Sequence, residues 1–249
     1  MNIQINNQQS AIGNRQFANG FSLTEVLIAV GILAVGMLFI AGVFPVSIHF
    51  TTVSSERTIA AVVADEAFAK IQLYGVNVAA LPFGLQTSLD NSFPPAEYAY
   101  PSIPTTDPNS RRYWWSAICR RVGPADVQIT VFISRKVGAA STYFNGLPRP
   151  VAVQIPVTLA VSNLQINNPS FKSLINDGYT IVDDATGNIY RVLARYTPPN
   201  DNIIHLDRPW QGGATSVWVV PPAGTIIGTQ FVPNGRYPCI AVYQKVIRF

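Results

Sequence analysis

An uncharged apolar run near the N-terminus is the feature that most constrains this chain. No residue between Glu25 and Glu56 carries a formal charge, and Val26–Val46 is almost wholly apolar. About 20 consecutive apolar residues are enough to cross a bilayer as a helix. A cleaved secretory signal is the competing interpretation, but its apolar core is about 7 to 15 residues long. Because the run is longer, the sequence predicts one membrane-spanning helix at 26–46.

The composition supports a membrane-linked or assembly-forming protein. Only 12% of the 249 residues are charged, which is about half of the roughly 25% usual in soluble domains. The net charge is +4, and from Pro101 onward fourteen Lys and Arg stand against seven Asp and Glu. The C-terminal part is therefore mildly basic, well short of a polybasic nucleic-acid tail. The length allows one or two domains.

The polar segment before the apolar run bears on orientation. Residues 1–20 are rich in Asn and Gln, and Arg15 is their only charged residue. Lys and Arg favour the cytoplasmic side of a membrane span. We therefore expect the N-terminus inside and the C-terminal domain outside the cytoplasm.

Glu25 needs an explanation, because an ionised carboxylate within a membrane segment costs about 2.5 to 3.5 kcal/mol on insertion scales. One interpretation is a functional group with a specific partner. The other is that Glu25 begins the span at the level of the lipid headgroups and reaches water. The residues considered so far leave both open.

The residues around Glu25 carry a family resemblance. The sequence Gly20-Phe21-Ser22-Leu23-Thr24-Glu25, preceded by a polar leader and followed by the apolar run, closely resembles the cleavage and methylation signature of type IV prepilins and type II secretion pseudopilins. The resemblance covers 19–70, about a fifth of the chain. It implies that a prepilin peptidase cuts after Gly20 and methylates the new N-terminus at Phe21.

The resemblance also implies an assembly role for Glu25. Cleavage leaves an ammonium group on Phe21, about one helical turn from Glu25, where the first N–H groups of the helix are unsatisfied and electropositive. In the assembled fibre of the family, Glu25 of an incoming subunit is expected to neutralise the Phe21 ammonium of its neighbour.

This chain departs from the commonest family pattern in two places. Its leader at 1–20 is longer than many, and Gly42 stands where many pilins have a helix-interrupting proline, with Pro45 slightly later. Because proline removes a backbone hydrogen bond and clashes with the preceding turn, a helix break at Gly42–Pro45 is an expectation to test.

Apolar periodicity continues beyond the membrane segment. Spacings close to four and three predict one buried helical face, formed by Val46, Phe50, Val53, Ala60, Ala64, Ala67 or Phe68, and Ile71. We expect a single helix over residues 21–81. Its first half is apolar on all sides, so outside lipid it must be covered by other helices. A plain membrane anchor that packs on its own domain is the alternative, and it does not explain Glu25 beside a Gly-Phe junction.

The sequence changes character at Pro82, because eighteen of the nineteen prolines lie from there onward. Residues 82–109 show no periodicity and predict a connecting loop over the surface. Runs rich in Val, Ile and aromatic residues then predict strands, at Tyr113–Val122, Val127–Val137, Val151–Val161, Tyr179–Asp183, Ile189–Tyr196, Ile203–Asp207, Ser216–Val220 and Ala241–Phe249.

Turn residues at 122–127 (VGPADV) and 183–188 (DDATGN) predict antiparallel hairpins. The fold class is therefore α+β, with a long N-terminal transmembrane helix packed on a C-terminal antiparallel β head at 110–249. Type IV pilin heads have this arrangement. The head has more strands than it needs, so 164–220 is expected to form a β subdomain centred on the hairpin at Asp184.

Catalytic and metal chemistry have little support. His49 and His205 are the only histidines, and neither has a nucleophile or carboxylate at a telling spacing. Asp183, Asp184 and Asn188 offer fewer oxygens than the six to eight that Ca²⁺ takes, so a hairpin turn is preferred. We expect no enzyme activity, no metal and no cofactor.

Two further motifs leave alternatives open. Cys119 and Cys239 lack any Cys-x-x-Cys or Cys/His cluster, so they are either a disulfide outside the cytoplasm or two buried thiols. The segment 110–121 (SRRYWWSAICRR) interleaves arginines with aromatic residues, as single-stranded nucleic-acid sites do. It equally describes a strand with one packed face whose aromatics are covered by Arg stems, and nucleic-acid binding is not expected.

These observations together predict a pilin-like subunit that is made as a precursor and inserted into the inner membrane as a single-pass protein. After cleavage it would join a type IV pilus or a type II secretion pseudopilus, in the periplasm or at the cell surface, as a minor component. The expected partners are prepilin peptidase, other pilin subunits, the inner-membrane assembly platform and, before assembly, membrane lipid. The alternative is a single-span envelope protein whose β domain binds a ligand and does not polymerise.

Overall fold

One long helix, α1 (Leu23–Tyr74), carries the apolar run and continues well beyond it. The computed structural model describes residues 22–102, 111–138, 141–160, 163–196, 199–213, 215–227 and 230–249. Gly20, Phe21 and the leader with Arg15 lie outside these residues. The chain divides into two compact units, 1–52 and 53–249.

In the first unit, α1 is exposed on every side. All residues from Leu23 to Thr52 are exposed, and within the described part of the chain α1 is the one helix that is long and apolar enough to cross a membrane. Its most apolar 18-residue window has a mean hydropathy of 2.8 and is 0% buried. This agrees with the span predicted at 26–46.

The expected helix break at Gly42 and Pro45 is not present. The backbone stays helical across both residues, and Pro45 lies inside α1. Proline costs the helix one backbone hydrogen bond, but its fixed φ of about −65° is itself helical. Because several helical turns on either side hold the backbone in this conformation, the missing bond does not end the helix.

The helix ends earlier than predicted. Gly75 has a φ of +75°, and its N–H donates to the carbonyl oxygen of Ile71 at 3.0 Å. This is a left-handed cap that glycine favours. It stops α1 at Tyr74 instead of Leu81, and a short 3₁₀ turn (Val78–Ala80) follows.

In the second unit, one face of α1 is buried, as the periodicity predicted. The buried residues are Ala60, Val63, Ala64, Ala67, Phe68 and Ile71. The stripe starts later than expected, since Val46 and Phe50, which belong to the first unit, are exposed. Four of the six residues are Ala or Val, so the helix axis can approach the sheet closely.

The helix packs on an antiparallel sheet, here called the head sheet. Its strands are ordered β1-β3-β4-β13, and β2 pairs with β3 at the same edge as β1. Their bounds are β1 (Thr87–Ser88), β2 (Ala99–Tyr100), β3 (Tyr113–Arg121), β4 (Asp126–Arg135) and β13 (Cys239–Arg248). Alternate residues of β3 and β4, such as Ala117 and Ile129, face α1 and share its core.

The Pro-rich segment contributes to this core and does not simply lie over the surface. Leu89, Phe93 and Tyr98 are 4%, 7% and 0% exposed, and they pack with the helix and the head sheet. The Tyr98 hydroxyl donates to the Leu89 carbonyl oxygen. The expectation of a surface loop for 82–109 was therefore wrong for its described part. The three buried side chains are irregularly spaced in the sequence, so no periodic pattern predicts their burial.

A closed antiparallel barrel forms the rest of the second unit. Its strand order is β10-β5-β6-β9-β8-β7, which closes on itself. The strands are β5 (Val153–Ala160), β6 (Asn163–Ile166), β7 (Thr180–Asp183), β8 (Ile189–Arg195), β9 (Ile203–Leu206) and β10 (Ser216–Val219). The barrel begins at Val153, so the expected subdomain at 164–220 misses its first strand. A two-stranded hairpin, β11 (Gly224–Ile227) and β12 (Gln230–Pro233), follows it.

The barrel covers the face of the head sheet that points away from α1. Ile118 of β3 and Phe132 of β4 pack there against Val182 and Trp218 of the barrel wall. The second unit is thus layered as helix, head sheet and barrel. The predicted α+β class with antiparallel sheets on a long helix, as in pilins, is confirmed.

Candidate functional site

Glu25 lies in the first turn of α1. The carbonyl oxygen of Ser22 accepts the N–H groups of Glu25 at 2.9 Å and Val26 at 3.2 Å, which makes Ser22 the residue at the start of the helix. Glu25 is therefore the third helical residue, where free backbone N–H groups favour a carboxylate. Its side chain is exposed.

The surface of α1 that follows Glu25 is apolar and exposed. Leu38, Phe39, Ile40 and Phe44 are 73%, 71%, 69% and 64% exposed, and no charged residue accompanies Glu25 before Glu56. Contiguous apolar surface of this extent marks contact with a membrane or another protein. Glu25 thus lies beside a surface that lipid or neighbouring helices must cover.

Two charged residues on the outer half of α1, Glu56 and Lys70, form ion pairs with residues outside the helix. Glu56 is paired with Arg135 of β4. Lys70 Nζ lies 2.9 Å from Glu66 Oε1 and 3.0 Å from Glu97 Oε2. These ion pairs fix the helix to the head sheet and to the segment before it.

The disulfide that was one of the two alternatives for the cysteines is not present in the structure. Cys119 and Cys239 are both free thiols. Cys119 lies opposite Ile129 of β4, whereas Cys239 lies opposite Ser134 on the other side of the same strand. Their Cα atoms are therefore two strands apart and about five residues offset, well beyond the roughly 7 Å limit for a disulfide. Burial raises the pKa of each thiol to about 12.

The arginine and aromatic motif at 110–121 forms strand β3 of the head. Trp114 and Trp115 are 4% and 1% exposed, and the Trp115 indole N–H donates to the Glu97 carbonyl oxygen at 2.9 Å. Arg120 donates to the carbonyl oxygen of Ala185 in the barrel. Burial leaves neither indole face open for stacking on a nucleic-acid base.

Asp183 and Asp184 organise the turn between β7 and β8. Asp183 Oδ2 accepts the backbone N–H of Thr186 at 2.8 Å. Asp184 Oδ1 accepts the Trp218 indole N–H at 2.7 Å, and its Oδ2 accepts the Ser216 hydroxyl at 3.0 Å. In the described part of the chain no three His, Cys, Asp or Glu residues lie together as metal ligands do.

The two histidines have ordinary surroundings. His205 is exposed on β9 and its Nδ1 lies 3.0 Å from Asn163 Oδ1. His49 lies on the exposed apolar half of α1. Neither contacts a nucleophile or a carboxylate through a hydrogen bond in the described residues.

A buried ion pair was not foreseen from the sequence. The Arg149 guanidinium lies 3.1 Å from Asp90 Oδ1 and 3.9 Å from the centre of the Tyr98 ring. The side chains of Arg149 and Asp90 are only 9% and 7% exposed. Burial raises the pKa of Asp90, and the charge of Arg149 opposes that rise. The two residues sit in Pro-rich segments 59 positions apart, so no local pattern connects them.

Comparison with known protein families finds one match. The family model described as the prokaryotic N-terminal methylation motif matches residues 15–41. The chain carries the prepilin-type signature. No curated protein and no solved structure matches the chain.

The matched segment contains Gly20, Phe21 and Glu25, and it ends inside the exposed apolar half of α1. The prepilin-type signature supports a pilin or pseudopilin precursor that prepilin peptidase processes. It also favours a structural subunit over an enzyme. A pilin-like α+β architecture follows the signature along the chain, so the N-terminal motif and the fold agree.

Proposed function

We propose that this chain is a structural subunit of a type IV pilus or a type II secretion pseudopilus. The observation that carries the proposal is the coincidence of the prepilin-type signature at 15–41 with a helix whose residues Leu23–Thr52 are all exposed. An apolar helix of this kind needs lipid or other helices around it. In a processed pilin, lipid surrounds this helix before assembly, and the helices of other subunits surround it afterwards.

Processing is proposed to act at the Gly20–Phe21 bond, with N-methylation of Phe21. The cut would place an ammonium group one residue before Ser22, the residue that directly precedes α1. Glu25 of an incoming subunit would then neutralise that ammonium in its neighbour. Because an unpaired carboxylate in lipid costs about 2.5 to 3.5 kcal/mol, docking that pairs Glu25 is favoured over docking that does not.

The remaining roles are also proposals. The subunit would sit in the inner membrane through 26–46, with the β domain outside the cytoplasm, and would reach the fibre through the assembly platform. We favour a minor component, because the barrel enlarges the head on the face that points away from α1. A barrel in this position enlarges the head without covering α1.

Processing is tested by intact mass and N-terminal sequencing of the full chain with and without prepilin peptidase. We expect the 27.1 kDa chain to lose the mass of its leader at 1–20 and to begin with methylated Phe21. Gly20→Ala should block the loss, whereas Gly13→Ala, a glycine elsewhere in the leader, should not. An unchanged mass would point instead to the anchored envelope protein that does not polymerise.

Assembly is tested by the amount of chain in sheared fibres. Glu25→Ala should be processed and membrane-inserted as well as the unaltered chain but should be depleted from fibres. Thr24→Ala changes the neighbouring position without removing the charge and serves as the control. If Glu25→Ala enters fibres at the normal level, the proposed role of Glu25 is wrong.

A further inference from the structure

One end of the head sheet collects basic residues. The start of β3, the end of β4 and the segment before β13 meet there, because Tyr113 pairs with Arg135 and the Arg135 N–H donates to the Pro238 carbonyl oxygen at 2.9 Å. The Lys136 N–H donates to the Arg112 carbonyl oxygen at 2.8 Å. We call this end the basic edge. Its basic residues, including one from α1, are Arg57, Arg111, Arg112, Arg135, Lys136 and Arg236.

The helix α1 joins the basic edge through two neighbouring residues. Glu56 is paired with Arg135, and Arg57 lines the same small cavity as Arg135 and Tyr237. Glu56 is the one acidic residue at this edge among the residues that the structure describes. Six of the chain's 17 Lys and Arg therefore stand here against one of its 13 Asp and Glu, and the rest of the chain carries no net positive charge.

The basic edge is the end of the second unit at which α1 arrives. Cys239, the first residue of β13, lines the cavity that contains Arg57. Six residues later, Lys245 Nζ lies 6.0 Å from the centre of the Phe68 ring. The strand β13 thus runs along α1 in the same direction as the helix. Its first residues, and the basic edge with them, lie toward the part of the chain that precedes the second unit.

The length of α1 brings this edge within reach of a membrane surface. Arg57 follows Val46, the last residue of the predicted span, by eleven residues, which is about 16 Å of helix. The headgroup layer occupies about 5 to 8 Å of that distance, and electrostatic attraction extends about 8 Å further at physiological salt. Long Arg and Lys side chains cover part of what remains.

We propose that the basic edge contacts the headgroups of anionic phospholipids on the outer face of the inner membrane before the subunit is assembled. The inference rests on the proposed function in one respect, since it needs residues 26–46 to span the bilayer. It requires no second copy of the chain, so it applies equally to a minor component. Each Lys or Arg close to an anionic surface strengthens the attraction about fivefold. The contact would hold the head at the membrane until the subunit is extracted into a fibre.

Lipid is favoured over other polyanions because the chain itself supplies the proximity. A nucleic acid also carries phosphate groups, but it must reach the basic edge from solution. Every inserted molecule of this chain, in contrast, has a bilayer surface a few helical turns from Arg57. Anionic lipid is therefore the partner that both the charge and the position of the edge favour.

Arginine footprinting of the full chain in vesicles tests the contact. The chain is reconstituted in phosphatidylcholine, alone or mixed with phosphatidylglycerol, treated with phenylglyoxal and analysed by mass spectrometry. Arg57, Arg112 and Arg236 are exposed and should be labelled roughly threefold more slowly in the anionic vesicles. Two other exposed arginines, Arg191 on β8 and Arg248 at the far end of β13, are internal controls and should be labelled equally in both.

Salt and a competing polyanion sharpen the test. At about 1 M salt the screening length falls to about 3 Å, so the protection by anionic vesicles should disappear. Protection that persists in high salt, that is as strong in phosphatidylcholine alone, or that extends to Arg248 would contradict the proposal. Protection by added single-stranded DNA but not by anionic lipid would assign the edge to a different partner and overturn it.

Charge removal tests whether the edge acts as a unit. In a chain carrying Arg112→Gln and Arg236→Gln, the protection of Arg57 by anionic vesicles should fall several-fold. A chain carrying Arg191→Gln and Arg248→Gln loses the same charge elsewhere and should keep that protection. All four sites are exposed, and resistance of the two buried thiols to iodoacetamide verifies folding. Unchanged protection of Arg57 in the first variant contradicts a shared contact.

These outcomes separate the inference from the proposed function. If the unaltered chain is not processed or never enters fibres, the proposed function fails, whereas the footprint in vesicles is unaffected. If processing and fibre entry are normal but the arginines are labelled equally in both kinds of vesicle, only the lipid contact fails. A chain that alkaline carbonate extracts from the vesicles has no membrane span, which refutes both.

Discussion

The buried pair of Arg149 and Asp90 shows how a single contact can hold distant segments of the head. Arg149 Nη2 donates to Asp90 Oδ1 and to the Asp90 carbonyl oxygen, each at 3.1 Å, while the guanidinium stacks over Tyr98. Removing one partner of a buried pair leaves an uncompensated charge, which costs about 3 to 5 kcal/mol. Arg149 lies just before the first barrel strand, so the pair also anchors the chain where it enters the barrel.

We predict that Arg149→Met lowers the free energy of unfolding by about 3 to 5 kcal/mol, measured by denaturant unfolding of the full chain in detergent. Lys172→Met is the control, because the Lys172–Asp201 pair is about one quarter exposed and solvent screens such a pair, so its loss should cost much less. Equal effects of the two substitutions would show that burial of the Arg149 pair does not matter.

The loss in Arg149→Met should also depend on pH. Burial raises the pKa of Asp90 in the folded chain, and removing Arg149 raises it further. A folded state that binds the proton more tightly than the unfolded state gains stability as the pH falls through the folded pKa. The deficit of Arg149→Met should therefore be smaller at pH 5 than at pH 8. A deficit that grows on acidification would contradict the assignment.

The two buried thiols allow a further prediction about single residues. Because burial raises the pKa of Cys119 and Cys239 to about 12, iodoacetamide at pH 8 should label neither in the folded chain. After denaturation without a reductant, intact mass should show two labels, since no disulfide is present. A raised thiol pKa adds stability that is complete below about pH 9 and is lost as the pH rises toward 12. If the denatured chain is labelled only after a reductant is added, the two cysteines form a disulfide and the assignment as free thiols is wrong.

At the scale of elements, α1 shows which patterns a sequence reveals. The apolar run, its length and the stripe at Ala60, Ala64 and Ile71 were foreseen, because helical periodicity is a local signal. The end at Gly75 was missed, since apolar residues continue past it and only the positive φ of glycine marks the stop. The break expected at Pro45 was wrong, because a helix with enough turns on each side can absorb one missing hydrogen bond.

The small residues on the buried face of α1 give a test of close packing. Ala67 is 0% exposed between the helix and the head sheet. Ala67→Leu adds three carbons where no space exists, and we predict a loss of about 1 to 3 kcal/mol of stability. Ala69→Leu makes the same change two residues later on the exposed side, so it should lie within about 0.5 kcal/mol of the unaltered chain. Thermal unfolding of both variants decides whether the helix is held by this face.

The strands were largely foreseen and the barrel was not. Each of the eight strands predicted from the sequence is present, with bounds that differ by at most two residues. The sequence did not reveal that six strands close into a barrel, because closure depends on pairing such as that of β10 with both β5 and β7. The short strands β1, β2, β6, β11 and β12 were also missed, since two to four residues give too little alternation to detect.

The residues of the candidate functional site were also only partly predicted from the sequence. The signature that contains Gly20, Phe21 and Glu25 was recognised because it is contiguous, and the family match at 15–41 agrees with it. The roles of these three residues stay predictions. The partners of Glu56 and Lys70 could not be found, because Arg135 and Glu97 lie 79 and 27 residues away in sequence. Long-range contacts of this kind leave no local pattern.

At the scale of the whole second unit, the barrel and the head sheet share one buried surface. Ile118 and Phe132 meet Val182 and Trp218 there, and Arg120 and Gln244 donate to the carbonyl oxygens of Ala185 and Gly187 in the β7–β8 turn. The interface therefore combines an apolar centre with polar contacts to one turn. Such a surface should couple the unfolding of the barrel to that of the head.

Trp218 is the residue with which to test that coupling. Its neighbours Val217 and Val219 point into the barrel, whereas Trp218 points outward to the head sheet and is 7% exposed. Trp218→Ala should cost about 3 to 5 kcal/mol, and it should remove interface contacts without emptying the barrel interior. We predict that calorimetry of the full chain in detergent shows one transition for the unaltered second unit and two for Trp218→Ala. Val217→Ala is the matched control: it weakens the barrel from inside, so it should lower the melting temperature but keep a single transition. If Trp218→Ala also melts in one step, the barrel and the head sheet are coupled by contacts other than this surface.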